Sequence, residues 1–267
     1  SHYRETNNKH YGIIPSVPVK EDDVCFDYAS LIQSNQSYYN FTSPLYFHTH
    51  WSTKMTKRLT DNQLAAIRSF VATQASQNQL LFWISKRDKV NLLHADSLWH
   101  QVKAKNVQLK IIETETDLFQ KTPLEGMDKD GFLEDTLKLA ALYKYGGLWF
   151  DLDVLFIRDM SPLFHQEWLS QASCFERSKF ASSNTVDSRF SGAFMYFHAQ
   201  SPYLCEMMSV ASDMLKGVIQ LTSLRDHLYA RVYYRVLRHR IAPWAVLPWC
   251  FTDPTQCRRS NSLPSLF

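Results

Sequence analysis

The stretch from Phe132 to Val154 constrains this chain more than any other part of it. Leu133, Leu137, Ala140 and Ala141 recur at helical spacing, which predicts a helix ending at Tyr145. Gly146-Gly147 follows and reads as a left-handed stop. Leu148-Trp149-Phe150 is then a short apolar strand, closed by Asp151-Leu152-Asp153. A helix that passes through two glycines straight into a buried strand belongs to an α/β domain with a largely parallel sheet. Ligands of such sheets bind beyond the carboxyl ends of the strands, which is where Asp151 and Asp153 stand.

The preceding chain repeats the alternation. Leu45-Tyr46-Phe47-His48 reads as a first strand. Thr60 starts a helix, with Gln63 in the capping-box position and Leu64, Ile67 and Val71 at helical spacing. Leu80 to Ile84 is a buried-strand run bounded by Ser85-Lys86-Arg87-Asp88. A helix is expected around 95–103 and a strand from Val107 to Ile112. Further on, a strand is expected at Gly192–Phe197 and a basic helix from about Leu224 to His239. Residues 1–43 lack a sustained period and read as an irregular stem, leaving 44–267 as one catalytic domain.

Two carboxylates separated by one residue at a strand end point the same way, because side chains alternate along a strand. Both then reach one hard cation, Mn²⁺ or Mg²⁺, and leave coordination positions for phosphate oxygens. The cation offsets charge on a departing diphosphate. A bare Asp-x-Asp says little; the Gly-Gly turn and apolar strand in front of it make it specific.

The stretch resembles the sugar-binding region of DxD glycosyltransferases, the family that includes α-1,4-galactosyl- and N-acetylglucosaminyltransferases and yeast-type α-1,6-mannosyltransferases. The likeness rests on Asp135, Lys138, Tyr145-Gly146-Gly147, Asp151-Leu152-Asp153 and Ser161-Pro162-Leu163. It implies a GT-A fold, in which a Rossmann-like nucleotide-binding half with a mostly parallel sheet merges with an acceptor-binding half. It also implies a metal-dependent, retaining transfer of a hexose or N-acetylhexosamine from a nucleotide-sugar to a glycan, glycolipid or glycoprotein. UDP-sugars are the first expectation and GDP-mannose the second.

Carried over residue by residue, the resemblance places Asp151 and Asp153 on the metal, with Asp153 also catalytic. It sets Asp135, Lys138, Tyr145, Gly146 and Gly147 near the donor. The family usually has Arg where Lys138 stands, and a lysine cannot make the bidentate fork of an arginine. Asp135 and Lys138 otherwise read as an i,i+3 surface ion pair. His48 and Thr49 are candidate nucleotide contacts, with His48 as a core histidine the competing reading. Ser191 and Gly192 would line the sugar and acceptor site, and Asp187 is a candidate catalytic carboxylate. Trp249 would contact the donor and Asp253 would be a third metal ligand. His227, Arg231, Arg235, Arg238 and His239 form a basic stripe, either a solvated face or a contact for diphosphate, an acidic acceptor or a membrane surface.

Two rival classes share the motif. Phe150-Asp151-Leu152-Asp153-Val154 resembles the nucleophile strand of haloacid-dehalogenase-like phosphohydrolases, but no late acidic pair accompanies it. A catalytically inactive sugar-binding module on the same fold is the other.

A hydrophobic share of 45% against 21% charged residues supports a sizeable core, and a net charge of +3 is too mild to imply nucleic acid. No run of about 18 apolar residues occurs, so any membrane anchor would lie in a segment outside these residues. Asn35-Gln36-Ser37 and Asn40-Phe41-Thr42 are glycosylation acceptors. Cys250 and Cys257 bracket a turn-rich loop that a disulfide could close, while Cys25, Cys174 and Cys205 have no evident pairing. These features favour a Golgi or other secretory-pathway lumen, as the luminal part of a type II membrane protein, over the cytosol.

Overall fold

The computed structural model of the protein describes residues 44–127, 132–171, 190–217, 224–248 (side chains from 228) and 251–252. In chain order the regular elements are β1 (Tyr46–His50), α1 (Asp61–Thr73), β2 (Gln79–Ile84), the short α2 (Lys89–Leu92) and β3 (Val107–Ile111). They continue with α3 (Leu133–Tyr145), β4 (Gly147–Phe150), β5 (Trp168–Gln171) and β6 (Phe190–Phe197). Then come α4 (Pro202–Leu215), α5 (Leu224–Arg238) and β7 (Ala245–Leu247).

The strands form one seven-stranded sheet in the order β3-β2-β1-β4-β6-β5-β7. β3, β2, β1 and β4 run parallel. β6 is antiparallel to both β4 and β5, and β7 is parallel to β5. The expected α/β class with a mostly parallel nucleotide half is therefore the observed one.

Strand alternation divides the core. Leu81, Trp83, Trp149, Met195 and Phe197 face helices α3, α4 and α5. Leu80, Phe82, Ile84, Leu148, Phe150, Phe194 and Tyr196 face the layer that contains α1. A sheet covered on both faces needs apolar residues at every strand position, which is why β2 reads as an unbroken apolar run.

Helix α1 has the anticipated capping box. Thr60 Oγ1 accepts from the Gln63 backbone N–H at 3.3 Å, and the Gln63 side chain accepts from the Thr60 N–H at 3.0 Å. Its buried arc is Gln63, Leu64, Ala66, Ile67 and Phe70, whereas Val71 is 39% exposed at the rim of that arc, contrary to its expected inward place. The helix expected at 95–103 is only a 3₁₀ turn over Leu98–Gln101, started by Ser97 Oγ accepting from Trp99 N. α3 is buried on nearly all sides, from Asp135 to Leu142, rather than on one face. It is sandwiched between β1 and β4 on one side and α4 on the other.

The Gly-Gly stop is not a left-handed cap. Gly146 has φ 65° and ψ −179°, a positive φ with extended ψ, and Gly147 has φ 107°. Only glycine adopts these angles without strain. A Cβ on Gly147 would overlap the Tyr46 carbonyl oxygen, and one on Gly146 would sit 2.6 Å from the Ala199 nitrogen. The two glycines let the chain reverse out of α3 and lie directly against β1.

Candidate active site

β4 runs between β1 and β6 and delivers Asp151 at its carboxyl end. The Asp151 backbone N–H donates to the Ala193 carbonyl at 2.8 Å, which continues the β4–β6 ladder by one residue. After that the chain leaves the sheet: Val154 N–H donates to Asp151 O at 3.0 Å, and Leu152-Asp153 form the turn between them. The two carboxylates thus face one region through a turn, not through the strand alternation expected from sequence.

Asp151 shares a sheet face with Trp149, whose indole Nε1–H donates to Asp151 Oδ1 at 2.8 Å. On the same side, Lys138 reaches down from α3. Its Nζ lies 3.6 Å from Asp151 Oδ1 and 3.9 Å from Asp135 Oδ1, and donates to the Gly192 carbonyl at 3.2 Å. The ammonium also sits 5.4 Å from the Trp149 ring centroid, within cation–π range. The Lys138 side chain is only 3% exposed, so the surface-pair alternative for Asp135 and Lys138 does not describe it. α3 carries a buried lysine toward the carboxylates.

Asp153 is more open. Its carboxyl is nonetheless held above the usual carboxylate range, first by loss of solvent around it and then by the Asp151 charge. Two acidic groups facing one region without a full counter-charge are the donor set a hard divalent cation fits. No described hydrogen bond ends on Asp151 Oδ2, and among the described residues no three His, Cys, Asp or Glu side chains converge on a metal cage. Two carboxylates with the remaining positions left to water and phosphate is how Mg²⁺ is commonly bound.

With this geometry in view, the family comparison has a definite meaning. The family described as "Glycosyltransferase sugar-binding region containing DXD motif" matches residues 30–174, more than half of the chain. The chain belongs to this family. It is a glycosyltransferase, and the phosphohydrolase alternative falls away. The solved structure of "PaToxG Glycosyltransferase" is similar at 13% identity and TM-score 0.47, covering 80% of this chain and 76% of that one. No curated protein sequence matches.

Ser191 and Gly192 of this glycosyltransferase adjoin the carboxylate pair. Gly192 supplies its carbonyl to Lys138, and a Cβ there would overlap the Tyr229 hydroxyl of α5. Ser191 Oγ accepts from the Ala193 N–H at 3.2 Å, and the Ser191 carbonyl accepts from Ser170 Oγ at 3.1 Å. Asp135, Lys138, Asp151, Asp153, Ser191 and Gly192 are therefore brought together.

Other expected donor residues are not at this end. Tyr145, Gly146 and Gly147 lie where β4 begins, about 13 Å of strand away from Asp151. The Tyr145 hydroxyl donates to Glu115 Oε2 at 2.8 Å, in a network that includes Lys110 and Lys144. Burial opposes the ionised Glu115, but its hydrogen bonds from Tyr145, Lys110 and Lys144 prevail and hold it at about 2. The Tyr-Gly-Gly motif is thus a structural corner.

His48 is a core histidine, as the competing reading had it. It is fully buried, its Nδ1 accepts from Trp83 Nε1–H at 3.2 Å, and its Nε2 lies 2.9 Å from the Gly146 carbonyl. An acceptor at Nδ1 fixes the proton on Nε2, which donates to Gly146. Burial lowers this histidine to about 4, so it is neutral at pH 7. Thr49 is fully buried on the opposite face of β1. Both side chains are enclosed by protein, and Thr49 Oγ1 has no hydrogen-bond partner among the described residues.

Asp88 went unselected in sequence, whereas His50, with His48, flanks Thr49 where a nucleotide contact is expected. Asp88 is buried, accepting from Thr53 Oγ1 at 2.6 Å and Ser85 Oγ at 2.7 Å. Burial works against its charge, but these hydroxyls outweigh it and lower the carboxyl. It ties the loop after β1 to the loop after β2. His50 is also lowered to about 4, first by burial, with Asp88 and Asp151 opposing and Lys138 adding to the shift. The Ser-x-x-Asp spacing after a strand was the available signal for Asp88. For His50 it was the i+2 spacing from His48.

Arg231, Arg235, Arg238 and His239 lie exposed on and just beyond α5, with Arg235 paired to Glu206 at 2.7 Å. Asp187, Trp249, Asp253, Cys250, Cys257, Cys25, Cys174, Asn35 and Asn40 and the His227 side chain lie outside the described residues.

Proposed function

We propose that this glycosyltransferase is metal-dependent and retaining, and moves a hexose or N-acetylhexosamine from a nucleotide-sugar to a glycan, glycolipid or glycoprotein. The observation that carries this reading is the Asp151–Asp153 pair beyond the carboxyl end of β4, with Asp151 braced by Trp149 and Lys138. Asp151 and Asp153 would hold the cation, with Asp253 as a further ligand on resemblance alone. Bound there, Mn²⁺ or Mg²⁺ would supply Lewis-acid neutralisation of a departing diphosphate.

The chain's own residues do the rest. Trp149 fixes one Asp151 oxygen and leaves the other for coordination. Lys138 sets its Nζ 3.6 Å from Asp151 Oδ1, beside the pair and in the neighbourhood of the proposed donor. Asp135, within 3.9 Å of that ammonium, helps keep it in place. Asp187 remains a proposed catalytic carboxylate. UDP-sugars are the preferred donors and GDP-mannose the second. A Golgi or other secretory-pathway lumen is the proposed compartment, supported by the two glycosylation acceptors and the Cys250–Cys257 loop.

The deciding experiment follows sugar transfer, or donor hydrolysis, with Mn²⁺ and with excess chelator. Activity should vanish on chelation and return with Mn²⁺ better than with Ca²⁺, whose looser and larger shell suits a two-carboxylate diphosphate site poorly. Asp151→Asn and Asp153→Asn should each lower the transfer rate at least about 100-fold, roughly 3 kcal/mol of transition-state stabilisation. Full activity in chelator, or wild-type transfer by the double variant, would remove the pair from the mechanism.

A further inference from the structure

The sheet order changes direction between β1 and β4. From β1 the chain builds outward through β2 and β3, then returns to place β4 on the other side of β1. The crevice beyond the carboxyl ends of β1 and β4 is therefore the switch point, where sheets of this kind bind ligands. Asp151 stands at the β4 side of that crevice. The β1 side ends in His50.

The register makes the relation closer. Phe47 pairs with Leu148 and His48 with Trp149, so the same offset carried two residues on sets His50 beside Asp151. Both lie on the sheet face that α3 covers, since His50 alternates with His48 and Asp151 with Trp149.

His50 is 6% exposed, and among the described residues neither imidazole nitrogen has a hydrogen-bond partner. Buried polar groups are nearly always partnered, so such an atom calls for an explanation. Of the charged groups around the ring, Asp151 keeps one oxygen open, and the proposed cation takes it. Asp88 accepts from Thr53 and Ser85, Asp151 Oδ1 accepts from Trp149, and Lys138 donates to Gly192. His48, two residues earlier on the same face, has both nitrogens satisfied by the protein. Among the described residues His50 thus lacks a partner, and a ligand in the crevice beside Asp151 would supply one.

We propose that His50 is a donor-binding residue, whose imidazole N–H donates to an oxygen of the donor's diphosphate when nucleotide and cation occupy the crevice. This rests on the reading of Asp151 and Asp153 as the cation pair. A neutral imidazole presents one N–H, and an anionic oxygen is its strongest acceptor. Direct coordination of the cation by His50 is a different assignment, and the experiment separates the two.

The full chain is titrated with UDP, and in parallel with GDP, in saturating Mg²⁺ by calorimetry, and its melting is followed with and without these ligands. His50→Phe removes the two unpartnered nitrogens and keeps a ring of similar size. Without ligand it should melt at or above the wild-type temperature, while its nucleotide Kd rises about tenfold, as expected for one charge-assisted hydrogen bond. His50→Gln retains an N–H donor and should recover part of the loss. If His50→Phe does not fold, His50→Ala is read in its place.

Wild-type affinity in the phenylalanine or alanine variant, with Asp151→Asn no longer binding, overturns the proposal and leaves the carboxylate reading intact. A weakened Mn²⁺ affinity without nucleotide, measured by electron paramagnetic resonance, overturns it in favour of metal coordination. No binding of either nucleotide by the wild type removes the carboxylate reading and this proposal together.

Discussion

Lys138 shows how one side chain joins fold and chemistry. Its ammonium is buried between Asp135, Asp151 and the Gly192 carbonyl, so removing it touches three partners. Lys138→Met keeps the stem and deletes the charge. It should lower kcat/KM at least about tenfold and cost roughly 1–3 kcal/mol of stability, because buried acceptors lose their donor. Unchanged kcat/KM in a folded variant would confine Lys138 to structure. His48 carries a second residue-level expectation. Its folded pKa of about 4 lies below the ordinary 6.5, so the unfolded chain takes up its proton first as pH falls. The contribution is complete above pH 6.5 and is lost down to about pH 4, on the order of 3 kcal/mol. Denaturant unfolding at stepped pH should therefore be steeper for the wild type over that range than for His48→Gln. Equal slopes would mean that the histidine is not buried neutral.

At the scale of elements, the α3–β4 corner is where sequence and structure meet most closely. Helix, double glycine, apolar strand and acidic turn were all legible, because glycines at fixed offsets and an unbroken apolar run are local signals. Their roles were less so. Gly146, Gly147 and Tyr145 read as donor contacts; in the structure they make close approach to Tyr46 and Ala199 and a hydroxyl bond to Glu115, contacts 30 to about 100 residues away in the chain. Gly147→Ala should cost at least about 3 kcal/mol, since both its positive φ and the Tyr46 carbonyl oppose a side chain. Gly126→Ala, at φ 69° with open space around it, should cost only about 1–2 kcal/mol. Similar losses in chemical denaturation would argue against the corner. α4 escaped notice although Ser201-Pro202 marks a helix start and Leu204, Met207, Met208 and Ala211 keep helical spacing. The short β5 and β7 carry too few residues to show a period.

At the scale of the whole molecule, the proposed secretory compartment has its own test. In secretion from eukaryotic cells, mass spectrometry should find Cys250 bridged to Cys257 and glycan on Asn35 or Asn40. Free thiols with unmodified asparagines would point to the cytosol. Cys205, in the described part of the chain, is a free thiol and should react with alkylating reagent once the protein is unfolded.

The position of β4 in the sheet also governs how the enzyme comes into being. β4 is flanked by β1, about a hundred residues earlier, and by β6, more than forty residues later. Such distant pairings are entropically costly to close and form slowly. Asp151 acquires its backbone partner Ala193 only when the β4–β6 closure is complete. A chain still emerging from the ribosome, or arrested short of β6, lacks that geometry and should be unable to capture a donor. With the proposed donor site, nucleotide should protect finished chains, and not truncated ones, from limited proteolysis.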